Sequence, residues 1–415
     1  MSWRESQMPI NMEEEDSDIP VQSRPMETVN AILEYAKLER SELKPLVQNI
    51  FFSPELDNDH MTLMELDSHM LDVILEGNEL VIRGDKDEMA VLCTNEKTYE
   101  VKEAEISNDL LITPEVLIGK DLDSEGDPCQ TFSQVLSVLH TYYELRECKP
   151  RIHKLKSLLE ENHYSGRESE RDEKHQGRKF QFEDFLEIVQ ASETEIRAGL
   201  RQLQACQIEG FWRLLDFDYL CQVLNHIIQL CEENDWLEAG IPLAECLLPL
   251  EELFPRSVIE HTLECYSRTR QEVMQSFEGS ERYNLDEDKI CRFFAELTLK
   301  NSDKFNYKEF LNVWQQCVPD GMTTSLYQIE GMCLIDKIGG IEVIWYYPVE
   351  ELPEEVADRF EALFKTREKW TREEIIPYIK DLATDKTDVG ALLTKYARAS
   401  MSNGIKMFNS RKTTR

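Results

Sequence analysis

Apolar residues follow two rhythms along this chain. Between residues 46 and 112 they gather into short runs, LVQNIFF, LDVILEG, ELVIRG, MAVLC, TYEVKEA and LLI, whose β-branched and aromatic content predicts the strands of a small β domain. Such a sheet has open edges, and with few helices of its own it needs closure into a barrel or a partner to cover them. A short helix is predicted ahead of it, over 27–40. Beyond it the spacing turns helical over 132–145 and again, opened by Pro150, over 151–161.

The second rhythm is clearest from Phe180 to Leu215. Phe182, Phe185, Leu186 and Val189 form one stripe of a first helix. Ser192, with Glu195 three residues on, is a capping box opening a second helix whose Ile196, Leu200 and Leu203 share a face, with Arg197 and Arg201 on its outer side. Gly210 leads into an apolar run, 211–215, that suits a strand returning from a tight turn. The same order of parts returns at Phe305, where Gly339 and Gly340 separate two β-rich runs as a hairpin turn. It returns again at Trp370, where Thr371 is the cap and Asn403-Gly404 the turn before a closing strand. Two helices followed by a β-hairpin predict a winged helix, and the unequal spacing of the modules argues against a solenoid of fixed period. The helical stretch 216–267 is either an imperfect further module or a buttress. Residues 164–179 mix both charges with almost no apolar residue and are expected to form a mobile surface loop.

The expected fold class is therefore α+β: an N-terminal β-rich, barrel-like domain, a helical connector and tandem winged-helix modules. The expected divisions are a disordered acidic tail at 1–25, a partner-binding β domain at 26–130, and the connector with the first winged helix at 131–240. A helical segment with the second winged helix follows at 241–350, and the third winged helix with a basic C-terminus at 351–415.

Composition removes several functions. The chain has 415 residues, enough for several cores, and no apolar run approaches the roughly 20 residues that span a bilayer, so no membrane role is expected. No phosphate-cradling glycine motif, paired-histidine motif or nucleophile motif is present, so no catalytic residue, metal or cofactor is assigned. The eleven cysteines are an odd number with no C-x-x-C pair, and Cys221, Cys231, Cys265 and Cys291 lie in apolar helical pattern as core thiols. His140, His226 and His261 read as core-edge or surface histidines. The turn bearing Asp85, Asp87 and Glu88 reads as a solvated hairpin turn, not a metal cluster.

A net charge of -35 opposes wholesale binding to phosphates, so any DNA contact is local. Residues 386–415 reverse the sign, with seven basic residues against one acidic. Val389, Leu392, Leu393 and Tyr396 mark the buried stripe of a helix, which places Lys395 and Arg398 on its solvent face, while Lys406 and Arg411 flank the closing strand. Lys386, Lys395, Arg398, Lys406, Arg411 and Lys412 are the expected DNA-binding residues, touching the backbone with little base specificity. Arg197 and Arg201, set among many acids, are better placed for docking a protein partner.

Several runs carry a resemblance. ELVIRGDKDEMAVLC from Glu79, YYELRECKP from Tyr142, FNYKEFLNVWQQCVPDGM from Phe305, REKWTREEIIPYIKDL from Arg367 and GALLTKYARASMSNGIKMFNSR from Gly390 resemble, in order, the sister-chromatid-cohesion subunits of the alternative replication clamp loader. The resemblance implies a non-catalytic nuclear subunit of DNA replication and cohesion. It implies that the chain joins the small and large subunits of that loader, links it to the leading-strand DNA polymerase and DNA, and reaches the sliding clamp indirectly. Two other non-enzymatic classes use winged helices, transcription regulators and ubiquitin-ligase-type scaffolds. A regulator would carry a basic recognition helix, whereas MTTSLYQIEG of the Phe305 module has no basic residue.

Overall fold

The structure, a computed structural model, describes residues 25–39, 41, 46–54, 56, 60–114, 116–117, 129–171, 177–268, 282–383, 387–402 and 404–411. The acidic N-terminal run lies outside them. The chain is mixed α+β. It divides into two compact bodies, residues 1–65 with 102–144, and residues 66–101 with 145–415.

The first body opens with α1 (Met26–Ala36), β1 (Leu46–Phe52) and β2 (Met64–Glu65). The second body then supplies α2 (Ser68–Leu75), β3 (Val81–Arg83), β4 (Val91–Cys93) and the start of β5 (Thr98–Ile112), followed in the chain by β6 (Cys129–Val135) and β7 (Ser137–Glu147). Within the first body β1 pairs in parallel with β6 as a two-stranded sheet, and β2 pairs in parallel with β7. Within the second, β3, β4 and β5 form an antiparallel meander in which Cys93 lies opposite both Val81 and Thr98.

Two stretches here depart from the pattern reading. LDVILEG belongs to helix α2: Asp67 Oδ1 accepts the N–H of Met70 at 2.7 Å, and Gly77, at φ +77, closes the far end, so the caps outweigh the β-branched content. Residues 132–145 are strand, not helix. Buried positions fall on every second residue, at Ser133, Val135, Ser137 and Leu139, and the two serines hide that period from an apolar count. TYEVKEA and LLI are one continuous strand, β5.

The remainder of the second body is built on the order helix, short strand, helix, helix, hairpin, complete in the Phe180 and Trp370 modules and partial between them. The Phe180 module comprises α3 (Ile152–Glu160), a bridge at Phe180, α4 (Phe182–Ile188), α5 (Glu193–Gln202), β8 (Cys206–Ile208) and β9 (Phe211–Arg213). Ser192 and Glu195 form the expected capping box, and Glu209 and Gly210, at φ +52 and +88, make the tight hairpin turn. A Cβ on buried Gly199 would sit 3.0 Å from Ile152, so this glycine sets how closely α3 approaches α5. The loop expected to be mobile is docked over its described part: Tyr164 is buried and bridges to Leu215, and Glu170 binds Arg213.

Residues 217–283 follow the same plan: α6 (Phe217–Glu233), α7 (Trp236–Ala239), β10 (Ile241–Pro242), α8 (Leu243–Leu250) and α9 (Arg256–Tyr266), with β10 antiparallel to β11 (Arg282–Tyr283). The Phe305 module follows as α10 (Glu287–Lys300), β12 (Phe305–Asn306), α11 (Tyr307–Cys317), β13 (Cys333–Ile338) and β14 (Ile341–Tyr346), with strand order β12-β14-β13. Its expected second helix is only a 3-10 turn, Leu326–Ile329. The Trp370 module is α12 (Val356–Thr366), β15 (Lys369–Trp370), α13 (Arg372–Ile375), α14 (Val389–Tyr396), β16 (Ala397–Ser402) and β17 (Ile405–Ser410), with strand order β15-β17-β16.

The opening aromatics do the same work in each module. Phe180 lies opposite Trp212, Phe305 opposite Ile344 and Trp370 opposite Phe408, each tying the strand before the second helix to the closing hairpin. The Phe180 module has a core of its own, the two modules after it share a second that also takes in Cys206 and Ile208 of β8, and the core of the Trp370 module takes in Leu334 of β13.

Candidate nucleic-acid and partner interfaces

The basic residues of the Trp370 module gather on its hairpin more than on its helix. Lys395 lies in the last turn of α14, its Nζ 5.1 Å from the Tyr396 ring centre. Arg398, expected on that helix, is in β16: the helix ends at Tyr396 because Ala397 takes an extended backbone, φ -119 and ψ 158, and begins the strand. Lys406 lies within β17, not beside it, with its Nζ 5.5 Å from the Phe408 ring centre, and Arg411 follows that strand. Lys395, Arg398, Lys406 and Arg411 are exposed. Lys386 and Lys412 lie outside the described residues.

Register separates two of these cations. Arg398 is opposite Asn409 and Lys406 is opposite Met401, and since faces alternate along a strand, Arg398 and Lys406 project from opposite faces of the hairpin. Lys369, which the sequence reading did not single out, is also opposite Asn409 and shares the face of Arg398. A signal for it was present: lysine precedes the opening aromatic in Lys179-Phe180, Lys304-Phe305 and Lys369-Trp370. Lys179 is held by Glu170 and Lys304 lies 5.1 Å from the Trp345 ring centre, whereas Lys369 is exposed.

Arg197 and Arg201 do lie on the exposed side of α5, but their charges differ in availability. The Arg197 guanidinium donates to Glu193 Oε1 at 2.8 and 3.0 Å and covers the Phe182 ring at 4.0 Å. Arg201 donates to the Arg197 carbonyl at 3.3 Å.

The first body carries a different surface. On β1, Val47 and Phe51 are exposed on one face and Ile50 and Phe52 on the other, and Phe132 of β6, opposite Asn49, is 67% exposed. Parallel strands are ordinarily covered on both faces. Here apolar side chains stand bare on both.

Chemistry elsewhere is muted. Cys265 Sγ lies 3.4 Å from His261 Nε2 in a cleft of about 410 Å³. The same nitrogen is 2.9 Å from the Gln204 carbonyl, so it carries its proton toward that oxygen and has no lone pair for the thiol. Burial pushes the Cys265 thiol up to about 11 and lowers His261, the reverse of an activated pair. Glu88 closes its turn by accepting the Asp85 N–H at 3.2 Å and pairs with Lys154 at 2.9 Å. Among the described residues no group of His, Cys, Asp and Glu could hold a metal ion, and no helix is long and apolar enough to cross a membrane.

Comparison with known proteins places this architecture. The family model described as sister chromatid cohesion protein Dcc1 matches residues 61–379. The sister chromatid cohesion protein DCC1 of Xenopus laevis is 44% identical over 94% of this chain and 99% of its own length, and that of Homo sapiens is 43% identical over the same shares. The probable sister chromatid cohesion protein DCC1 of Dictyostelium discoideum is 24% identical over 87% of this chain and 97% of its own length. The chain belongs to the Dcc1 family of sister chromatid cohesion proteins.

Proposed function

We propose that the chain is a non-catalytic subunit of an alternative sliding-clamp loader, acting in the nucleus to link clamp loading, the leading-strand polymerase and sister chromatid cohesion during DNA replication. The observation that carries this reading is the β1–β6 pair, which among the described residues is a two-stranded parallel sheet with no further strand on either edge and apolar side chains exposed on both faces. Strands from partners would pair its edges and cover its faces, and the small loader subunit with the tail of the large subunit are the partners proposed. The repeated modules are read as winged helices. In this reading the Trp370 module touches DNA phosphates, the Phe180 module docks the polymerase, and the sliding clamp is reached through the loader. The charge of the Trp370 hairpin, opposite in sign to the chain as a whole, supports the first of these assignments.

The test is to purify the chain from nuclear extract and identify what accompanies it at stoichiometric level. Loader subunits are expected. Recovery instead with ubiquitin-ligase components or with a transcription complex, and without loader subunits, would overturn the proposal.

A further inference from the structure

The hairpin β16–β17 ends in an apolar tip. Met401 is 69% exposed and Ile405 is 56% exposed, although both follow directly from a stem anchored by the buried Phe408 and Trp370. Ile405 is opposite Ser402 and Met401 opposite Lys406, so the two tip residues project from opposite faces. Each face therefore presents one apolar tip residue and one cation, Ile405 with Arg398 on one side and Met401 with Lys406 on the other. From Val389 to Arg411 the sequence contains no Asp or Glu.

The hairpin of the Phe305 module supplies a comparison within the same chain. Its tip residues, Ile338 and Ile341, are similarly bare at 48% and 57% exposure. Its stem, however, carries Asp336 and Glu342 beside Lys337. An apolar tip alone does not select a partner, but an apolar tip on an acid-free, cationic stem is complementary to a groove walled by phosphates.

Helix α14 is poorly equipped for that role. Recognition helices read base edges from their N-terminal residues, and here those are Val389, Gly390 and Ala391, behind the acidic N-cap Asp388. We infer that the hairpin β16–β17, not helix α14, enters duplex DNA, seating Met401 and Ile405 against thymine methyl groups in the major groove while Arg398 and Lys406 reach phosphates on opposite walls. The inference rests on the reading of the Trp370 module as the DNA contact. The dimensions agree: a major groove about 12 Å wide and about 8.5 Å deep admits a two-stranded ribbon. At about 3.4 Å per residue the Arg398 backbone lies about 14 Å back from Ser402, outside a groove about 8.5 Å deep, so its long side chain extends to a phosphate at the rim, while Lys406 sits one residue from the tip.

The experiment uses the full chain, a short A·T-rich duplex, and the same duplex with uracil in place of thymine, which removes only the methyl groups. The parent is expected to bind the uracil duplex about five- to tenfold more weakly. M401S/I405S should lose a similar factor on the thymine duplex, keep the salt slope of the parent and no longer distinguish the two duplexes. R398Q/K406Q should flatten the slope of log affinity against log salt by roughly two, and I338S/I341S should change nothing. Thermal melting of each variant confirms that these surface changes leave the fold intact. A tip variant that still discriminates thymine from uracil as the parent does would overturn the inference, as would displacement of the parent by a minor-groove ligand such as netropsin. So would a tip variant that keeps its DNA affinity but no longer associates with the loader subunits, since the tip would then belong to a protein contact. If only the tip changes are silent, the DNA contact stands and the groove assignment falls; if R398Q/K406Q is silent as well, the DNA reading of the module falls with it.

Discussion

The hydroxyl of Thr98 accepts the backbone N–H of Ser192 at 2.9 Å, so a residue of β5 takes part in the cap of helix α5. It donates in turn to the Glu195 carboxylate that closes the same capping box. Gln190 adds to this junction, its amide donating to the carbonyls of Arg83 at 3.2 Å and Met89 at 2.7 Å. The meander β3–β5 and the Phe180 module are thus joined by buried polar groups. Replacing Thr98 by Val preserves shape and removes the hydroxyl, and is expected to cost about 1–2 kcal/mol in urea unfolding with an unchanged denaturant slope. An unchanged midpoint would show that the hydroxyl is dispensable to the junction.

Arg213 and Glu170 make a pH-dependent prediction. The Arg213 side chain is 3% exposed and pairs with Glu170 at 2.9 Å while also donating to the Asn162 and His163 carbonyls. Burial raises the Glu170 carboxyl, but hydrogen bonds from Arg213 and Lys179 outweigh it and hold the group below its ordinary value of 4.5. A depressed folded-state value stabilises above the unfolded value and is lost as pH falls through the folded one. Glu170→Gln should therefore cost about 3 kcal/mol at neutral pH, because it leaves a buried guanidinium without its counter-charge. The gap between parent and variant should narrow below pH 4.5. A gap that stays constant down to the acid transition would contradict this account.

Much of the second body was legible because its signals are local. The Ser192–Glu195 capping box, the Thr371 cap and the Gly339–Gly340 turn each sit within a few residues of the element they define. What was misread depended on distant partners or concealed period. Ser133 and Ser137 occupy buried positions of β6 and β7 that no apolar count registers. Tyr164 and Glu170 look like loop residues until Leu215 and Arg213 are brought to them. At the candidate interface composition reveals charge but not face: the helix stops two residues before Arg398, and the pairing of Lys369 and Arg398 with one asparagine depends on strand register.

A non-catalytic role makes a plain biochemical prediction. With no phosphate-cradling motif in the sequence, the purified chain should show no ATPase activity with or without DNA. Activity that persists after loader subunits have been rigorously removed, and that co-elutes with this chain, would refute the role.

The bare faces of β1 predict a separation of stability from assembly. Ile50→Ser with Phe52→Ser alters side chains already exposed in the free chain, so its melting temperature should stay within a degree or two of the parent. Binding of the small loader subunit together with the tail of the large subunit should fall at least tenfold. Normal assembly by this variant would place the partner surface elsewhere.

Whether β1–β6 is an unfinished sheet is measured directly by hydrogen–deuterium exchange across Leu46–Phe52. In the free chain the amides on the open edge of β1 should exchange rapidly while those of β4, flanked by β3 and β5, remain protected. Adding the small subunit and the tail of the large subunit should protect β1 to a level near that of β4. A β1 as protected as β4 in the free chain, and unaltered by those partners, would contradict the proposal that this body is completed by strands from other chains.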